Sequence, residues 1–137
     1  MAYNALGKYL SDLNRDFIKY SELKLSEYGL TLNMWRCMMI IESNKNCNLK
    51  DIAKLLNVDN AIITRNIKKL EDLNYIIKIK KLNDNRFFDL CITEKGKVAL
   101  DLINKYQAQW YEKVMKNFTN EESDILINLL KKLCNNI

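Results

Sequence analysis

Leu6, Leu10, Leu13, Phe17 and Tyr20 follow one another at spacings of three and four, the stripe of an amphipathic helix. The stripe predicts a first helix from about Asn4 to Tyr28, with Gly29 placed to stop it in a left-handed conformation. Thr31 then reads as an N-cap, flanked by Leu30 and Trp35 as the two halves of a hydrophobic staple. The helix it opens runs to about Ser43 and carries Met34, Trp35, Met38, Met39 and Ile41. After a polar loop, Asn48 and Asp51 form a capping-box pattern for a short helix, Leu49 to Leu56. Asn57-Val58 is a tight turn, Asp59 caps a fourth helix to about Leu73, and Asn74 stands where helices commonly stop on glycine.

The period then changes. Ile76-Ile77-Lys78-Ile79-Lys80 and Phe87 to Ile92 read as two short strands around a polar tip, Asn83 to Arg86. Thr93 caps a long fifth helix with Ala99, Ile103, Tyr106, Trp110 and Val114 on one face. Thr119 and Glu122 make a capping box for a last helix bearing Leu126, Leu129, Leu130 and Leu133. The expected fold is mainly α with a small β-hairpin. Two short helices on a tight turn, the second basic, followed by a hairpin, make a winged helix-turn-helix over residues 30–96. Helices at 1–28 and 97–137 flank it in a single domain.

Composition narrows the chemistry. The 137 residues contain no histidine, so Ser-His and Cys-His catalysis are excluded. The four cysteines form no CxxC and no cluster of metal-ligand spacing, so neither a metal nor another cofactor is expected. No catalytic motif stands out, and the flanking helices leave no room for a catalytic domain, so no enzymatic activity is expected. No apolar run is long enough for a membrane span and no export signal opens the chain, which makes the cytoplasm the expected compartment. The net charge of +5 has a location. From Lys45 to Lys97 there are 12 basic and 7 acidic side chains, and the remainder holds 10 of each. Excess charge confined to the winged segment is the footprint of a polyanion-binding surface. A solvated basic face would carry the same charge, so charge alone does not separate the two.

The fourth helix separates them better. Ile63, Ile67 and Leu70 fall at i, i+4 and i+7 and face the core. Opposite lie Ala61, Arg65 and Lys68, with Thr64 on one shoulder and Ile62 and Lys69 on the other. A major groove admits one such helix, and small residues at its start, Asn60 to Ile62, let it approach base edges. Arg65 can donate twice to guanine, and Ala61 or Ile62 can touch a thymine methyl. Thr64, Lys68 and Lys69 suit phosphates, which fix register without reading sequence. An ordinary charged surface helix is the alternative.

Three stretches carry a resemblance: LTLNMW (30–35), LKDIAKLLNVDNAIITRNIKKLEDLNYI (49–76) and NDNRFFDLCITEKG (83–96). Together they resemble the MarR family of bacterial transcription regulators. The resemblance implies that Arg86 enters the minor groove from the wing and that Asp84 braces its guanidinium. Lys78, Lys80 and Lys81 add phosphate attraction. It further implies a C2 homodimer, formed through the flanking helices, on a pseudo-palindromic double-stranded DNA site, most often as a repressor. Trp110 suits an interface anchor or core packing equally. Many relatives release DNA on binding a small aromatic or anionic effector. Tyr9, Phe17, Tyr28, Trp35 and Arg36 are the candidates for such a pocket, although aromatics at helical spacing also serve as core. Other relatives sense oxidants through a cysteine of the first helix, and none stands there in this chain. Cys47, in a loop with Lys45, is the one expected to be exposed and activated by a neighbouring cation. The sequence departs from the family at Asn57 and Asn74, where glycines are usual, and at Ala61-Ile62, where hydroxyl residues are common. A winged module that binds protein instead of DNA is the competing function.

Overall fold

The computed structural model describes residues 2–44, 46–81 and 84–137, with side chains except at 2–3 and 84–87. Its elements in order are α1 (Ala2–Glu27), α2 (Leu32–Ser43), α3 (Leu49–Leu56), α4 (Asn60–Asp72), β1 (Ile76–Lys81), β2 (Asp84–Ile92), α5 (Glu94–Val114) and α6 (Asn120–Cys134). Each boundary has a local cause. Thr31, Thr93 and Thr119 accept from the backbone N–H three residues on, and Asp59 accepts from Ala61. Both Asn48–Asp51 and Thr119–Glu122 close as reciprocal capping boxes. Gly29, Asn57 and Asn74 adopt positive φ, at 71°, 51° and 61°. The two asparagines thus do the work of glycine at modest cost.

One boundary differs from the sequence reading. β2 begins at Asp84, so the backbone of Asp84 to Arg86, expected in the polar tip, belongs to the strand. β1 and β2 pair antiparallel from Ile76 opposite Ile92 to Lys80 opposite Phe88. A register shift then brings Lys81 opposite Asp84. That irregularity adds strand length beyond the alternating hydrophobic positions, which is why alternation alone did not reveal it.

The core lies where α2, α3, α4, the hairpin and the N-terminal half of α5 meet. Met34, Met38, Ile52, Ile63, Ile67, Leu70, Ile76 and Ile103 are fully buried there. α1 packs on α2 and α5. Phe17 stands edge-on to Trp110, ring centres 4.9 Å apart, and Trp110 Nε1 donates to Asp16 at 2.8 Å. Trp110 therefore joins α1 to α5 within the chain. α6 behaves differently: it buries no residue at all. Leu129, Leu133 and Ile125 on α6 are exposed, as are Leu6, Leu10 and Leu13 on α1. The predicted apolar stripes exist: Ala99 and Ile103 of α5 are buried, whereas these positions of α1 and α6 are left uncovered by this chain.

Candidate nucleic-acid interface

α4 turns one side outward because its other side is anchored. Ile63, Ile67 and Leu70 are at most 1% exposed, while Asn60, Ala61, Ile62, Thr64, Arg65, Lys68 and Lys69 are all exposed. Thr64 donates its hydroxyl back to Asn60 O at 2.9 Å, which leaves the oxygen lone pairs facing out. No carboxylate among the described residues pairs with Arg65. Its guanidinium is free to donate.

The hairpin stands beside this helix. Lys78 Nζ lies 3.2 Å from Glu71 Oε1 of α4 and 5.8 Å from the Phe88 ring centre. Lys81 Nζ lies 3.6 Å from Asp89 Oδ1. Lys80 is exposed. The hairpin lysines thus differ: two are partly neutralised by nearby carboxylates, and Lys80 presents its charge to solvent. The side chains of Asp84 and Arg86, expected to pair on the wing, lie outside the described residues.

Between the N-terminus of α3, α4 and the hairpin runs a groove of about 640 Å³. Leu49, Phe88 and Leu90 form its apolar wall, and Asn48, Lys50, Asn60, Thr64 and Lys78 its polar rim. Asn48, Lys50 and Glu71 were not singled out for this face from sequence. Asn48 reads as a cap, and only the folded arrangement brings α3 and Glu71 to the hairpin.

The candidate effector residues occupy different places. Tyr9 is exposed on α1. Phe17 packs near Trp35, ring centres 6.5 Å apart, and Trp35 is buried with Nε1 donating to Asn104 Oδ1 at 3.0 Å. Arg36 is half-buried. Tyr28 lines a separate small cavity of about 360 Å³ with Tyr75, Glu94, Lys95, Val98 and Ala99. Phe17 and Trp35 are engaged in fastening α1 to α2 and α5.

Cys47 requires a correction. Expected in the open loop, it is 6% exposed and belongs to the core. Burial raises its thiol pKa, and the Asp51 and Asp89 carboxylates push the same way. Burial likewise drives Cys37 up to about 11. The loop folds inward because a small apolar side chain gains more from the core than from water. Cys134 is the exposed thiol. Labelling at about pH 8 should modify Cys134 first and reach Cys37 and Cys47 only on unfolding. Fast labelling of a Cys134→Ser variant at Cys47 would contradict this burial.

No helix among the described residues is long and apolar enough to cross a membrane. A family model described as MarR family matches residues 30–87. The chain is 34% identical over 130 residues to the HTH-type transcriptional regulator BilQ of Clostridioides difficile (strain CD3), covering 95% of this chain and 88% of that protein. It is 30% identical over 119 residues to the HTH-type transcriptional regulator SarZ of Staphylococcus aureus, covering 85% and 78%. A solved MarR protein from Peptoclostridium difficile superposes with a TM-score of 0.85 at 27% identity, covering 96% of this chain and 86% of that one. A MarR transcriptional regulator from Methanosarcina mazei Go1 gives 0.84 at 25%, covering 97% and 96%. With an outward basic helix beside a two-stranded wing and relatives of this kind along its length, the chain belongs to the MarR family and is a DNA-binding transcriptional regulator.

Proposed function

We propose that the protein acts in the cytoplasm as a homodimeric repressor on a pseudo-palindromic operator, and that a small aromatic or anionic effector relieves it. Two faces of one molecule carry the proposal: the outward side of α4, and the uncovered apolar stripes of α1 and α6. Leucines left 41–52% exposed along two helices are costly in water and match a self-complementary partner. Two copies joined through them would present two α4 helices to successive major grooves.

Within each half-site, Arg65, Ala61 and Ile62 read bases, with Asn60 at the helix start. Thr64, Lys68, Lys69, Lys80 and Lys81 hold phosphates, and Arg86, braced by Asp84, reaches the minor groove. Blocking polymerase by covering a promoter accounts for repression. The groove beside α4 supports the effector: an aromatic anion seated against Leu49 and Phe88, near the Lys50 and Lys78 ammonium groups, would occupy space the DNA backbone needs.

The test is binding to a duplex from the protein's own upstream region, with random DNA as competitor, across a salt series, alongside the mass of the free protein. A dimer engaging 6 to 10 phosphates should lose about a thousandfold or more in affinity between roughly 50 and 200 mM salt. A monomeric mass refutes the dimer. Equal affinity for random DNA, both here and after selection from random duplexes, would favour a protein-binding module.

A further inference from the structure

The motif Thr93-Glu94-Lys95-Gly96 is not part of the reading surface, yet its contacts converge on one place, the junction between α4 and β1. Tyr75 sits at the centre and is 5% exposed. Its N–H donates to Leu70 O at 3.0 Å, closing the end of α4. Its carbonyl accepts from Thr93 N at 3.0 Å, at the start of α5. Its hydroxyl donates to Tyr28 O at 2.8 Å, at the end of α1. Around it, Thr93 Oγ1 donates to Asn74 O at 2.6 Å and Lys95 Nζ to Leu73 O at 2.9 Å. The Lys95 ammonium also stands 5.1 Å from the Tyr75 ring centre. One residue therefore ties the end of the reading helix to both long flanking helices.

A second fastening lies elsewhere on the winged unit, where Trp35 of α2 donates to Asn104 of α5. Two separated attachments fix an angle where one would leave a pivot. The reading end of α4, at Ala61 and Arg65, is the end far from Tyr75. At about 1.5 Å per residue the lever is about 20 Å long. A rotation of about 10° at the junction moves that end about 3.5 Å, close to the roughly 3.4 Å rise of one base pair.

We propose that Tyr75, through its hydroxyl, and Lys95, through its bond to Leu73 O, are positioning residues that set the half-site spacing the dimer accepts. They touch no DNA. They act through α4, by holding the winged unit at one angle to the helices that carry the dimer contact. The inference rests on the dimeric reading proposed above.

Selection from random-sequence duplexes tests it, using the intact wild-type protein and the double variant Tyr75→Phe/Lys95→Met. Tyr75→Phe keeps the ring and both backbone bonds, and Lys95→Met keeps the aliphatic stem. The wild-type pool is expected to hold paired half-sites at one spacing, enriched roughly tenfold or more over neighbouring spacings. The double-variant pool should keep the same half-site but spread over adjacent spacings. Lys95→Arg, which still donates to the carbonyl, should retain the wild-type distribution. Mere destabilisation would weaken enrichment without moving the spacing. A variant pool with the wild-type spacing overturns the proposal. So does loss of the half-site sequence in a variant that still melts cooperatively, because the junction would then act on the reading face itself. If the wild-type pool contains only isolated half-sites, the dimeric reading fails and this inference with it. That failure shows in the wild-type protein before any variant is compared.

Discussion

Alanine at Arg65 is expected to cut operator preference sharply while sparing most non-specific binding. Arg65 is exposed on the outward side of α4, one turn beyond Ala61, with no described carboxylate competing for its guanidinium. A guanidinium donating twice to guanine discriminates by about 1–3 kcal/mol. The proposed dimer would make the contact in both half-sites, so the variant should lose roughly 2–6 kcal/mol, or about 30-fold or more in operator affinity. On random DNA the same change removes at most a phosphate attraction. Lys68→Ala is the contrast. It should weaken operator and random duplexes alike and make the salt dependence shallower by about one unit per subunit. Parallel titrations of both variants on both duplexes check this. Should Arg65→Ala weaken the two duplexes equally, Arg65 is a phosphate contact and bases are read elsewhere.

What was legible in the sequence follows the range of the forces involved. Helix starts at Thr31, Asn48, Asp59, Thr93 and Thr119 depend on a side chain bonding two or three residues away. Stops at Gly29, Asn57 and Asn74 depend on a single residue's φ. Both kinds are written locally. The orientation of α4 was equally readable, because Ile63, Ile67 and Leu70 define the core side and geometry supplies the other. Cys47 failed for the opposite reason. A cysteine in a polar run looks exposed until the fold brings Asp51 of α3 and Asp89 of β2 beside it and buries it in the core. The Tyr75 hydroxyl bond to Tyr28 joins residues far apart in sequence, and the Glu71–Lys78 pair crosses from a helix to a strand, so no spacing announces either. The aromatics grouped as a candidate pocket show the same limit: Phe17 of α1 and Trp35 of α2 are apolar because the two helices pack on one another.

Gly96 turns the α5 junction into a stability prediction. It lies in the first turn of α5, buried, and its amide donates to the Thr93 hydroxyl. A Cβ at this position would overlap the Tyr75 carbonyl oxygen and stand 3.1 Å from Ile92 Cγ2. The first obstacle is backbone, held by Thr93 N, so no rotamer change can relieve it. Either α5 withdraws from the start of the hairpin or the Tyr75–Thr93 bond opens, and both disturb buried packing. Gly96→Ala should therefore cost about 2–4 kcal/mol, although alanine is the better helix former by nearly 1 kcal/mol elsewhere. For a chain of this size that lowers the melting midpoint by roughly 6–15 °C, compared at equal protomer concentration because association also stabilises. Gly7 supplies the internal control. It too is helical, nothing lies within 4 Å of its Cβ position, and Gly7→Ala should be neutral or slightly stabilising. If Gly96→Ala melts with the wild type, α5 does not approach Tyr75 this closely, and the clasp that joins α4 to the flanking helices is looser than the geometry requires.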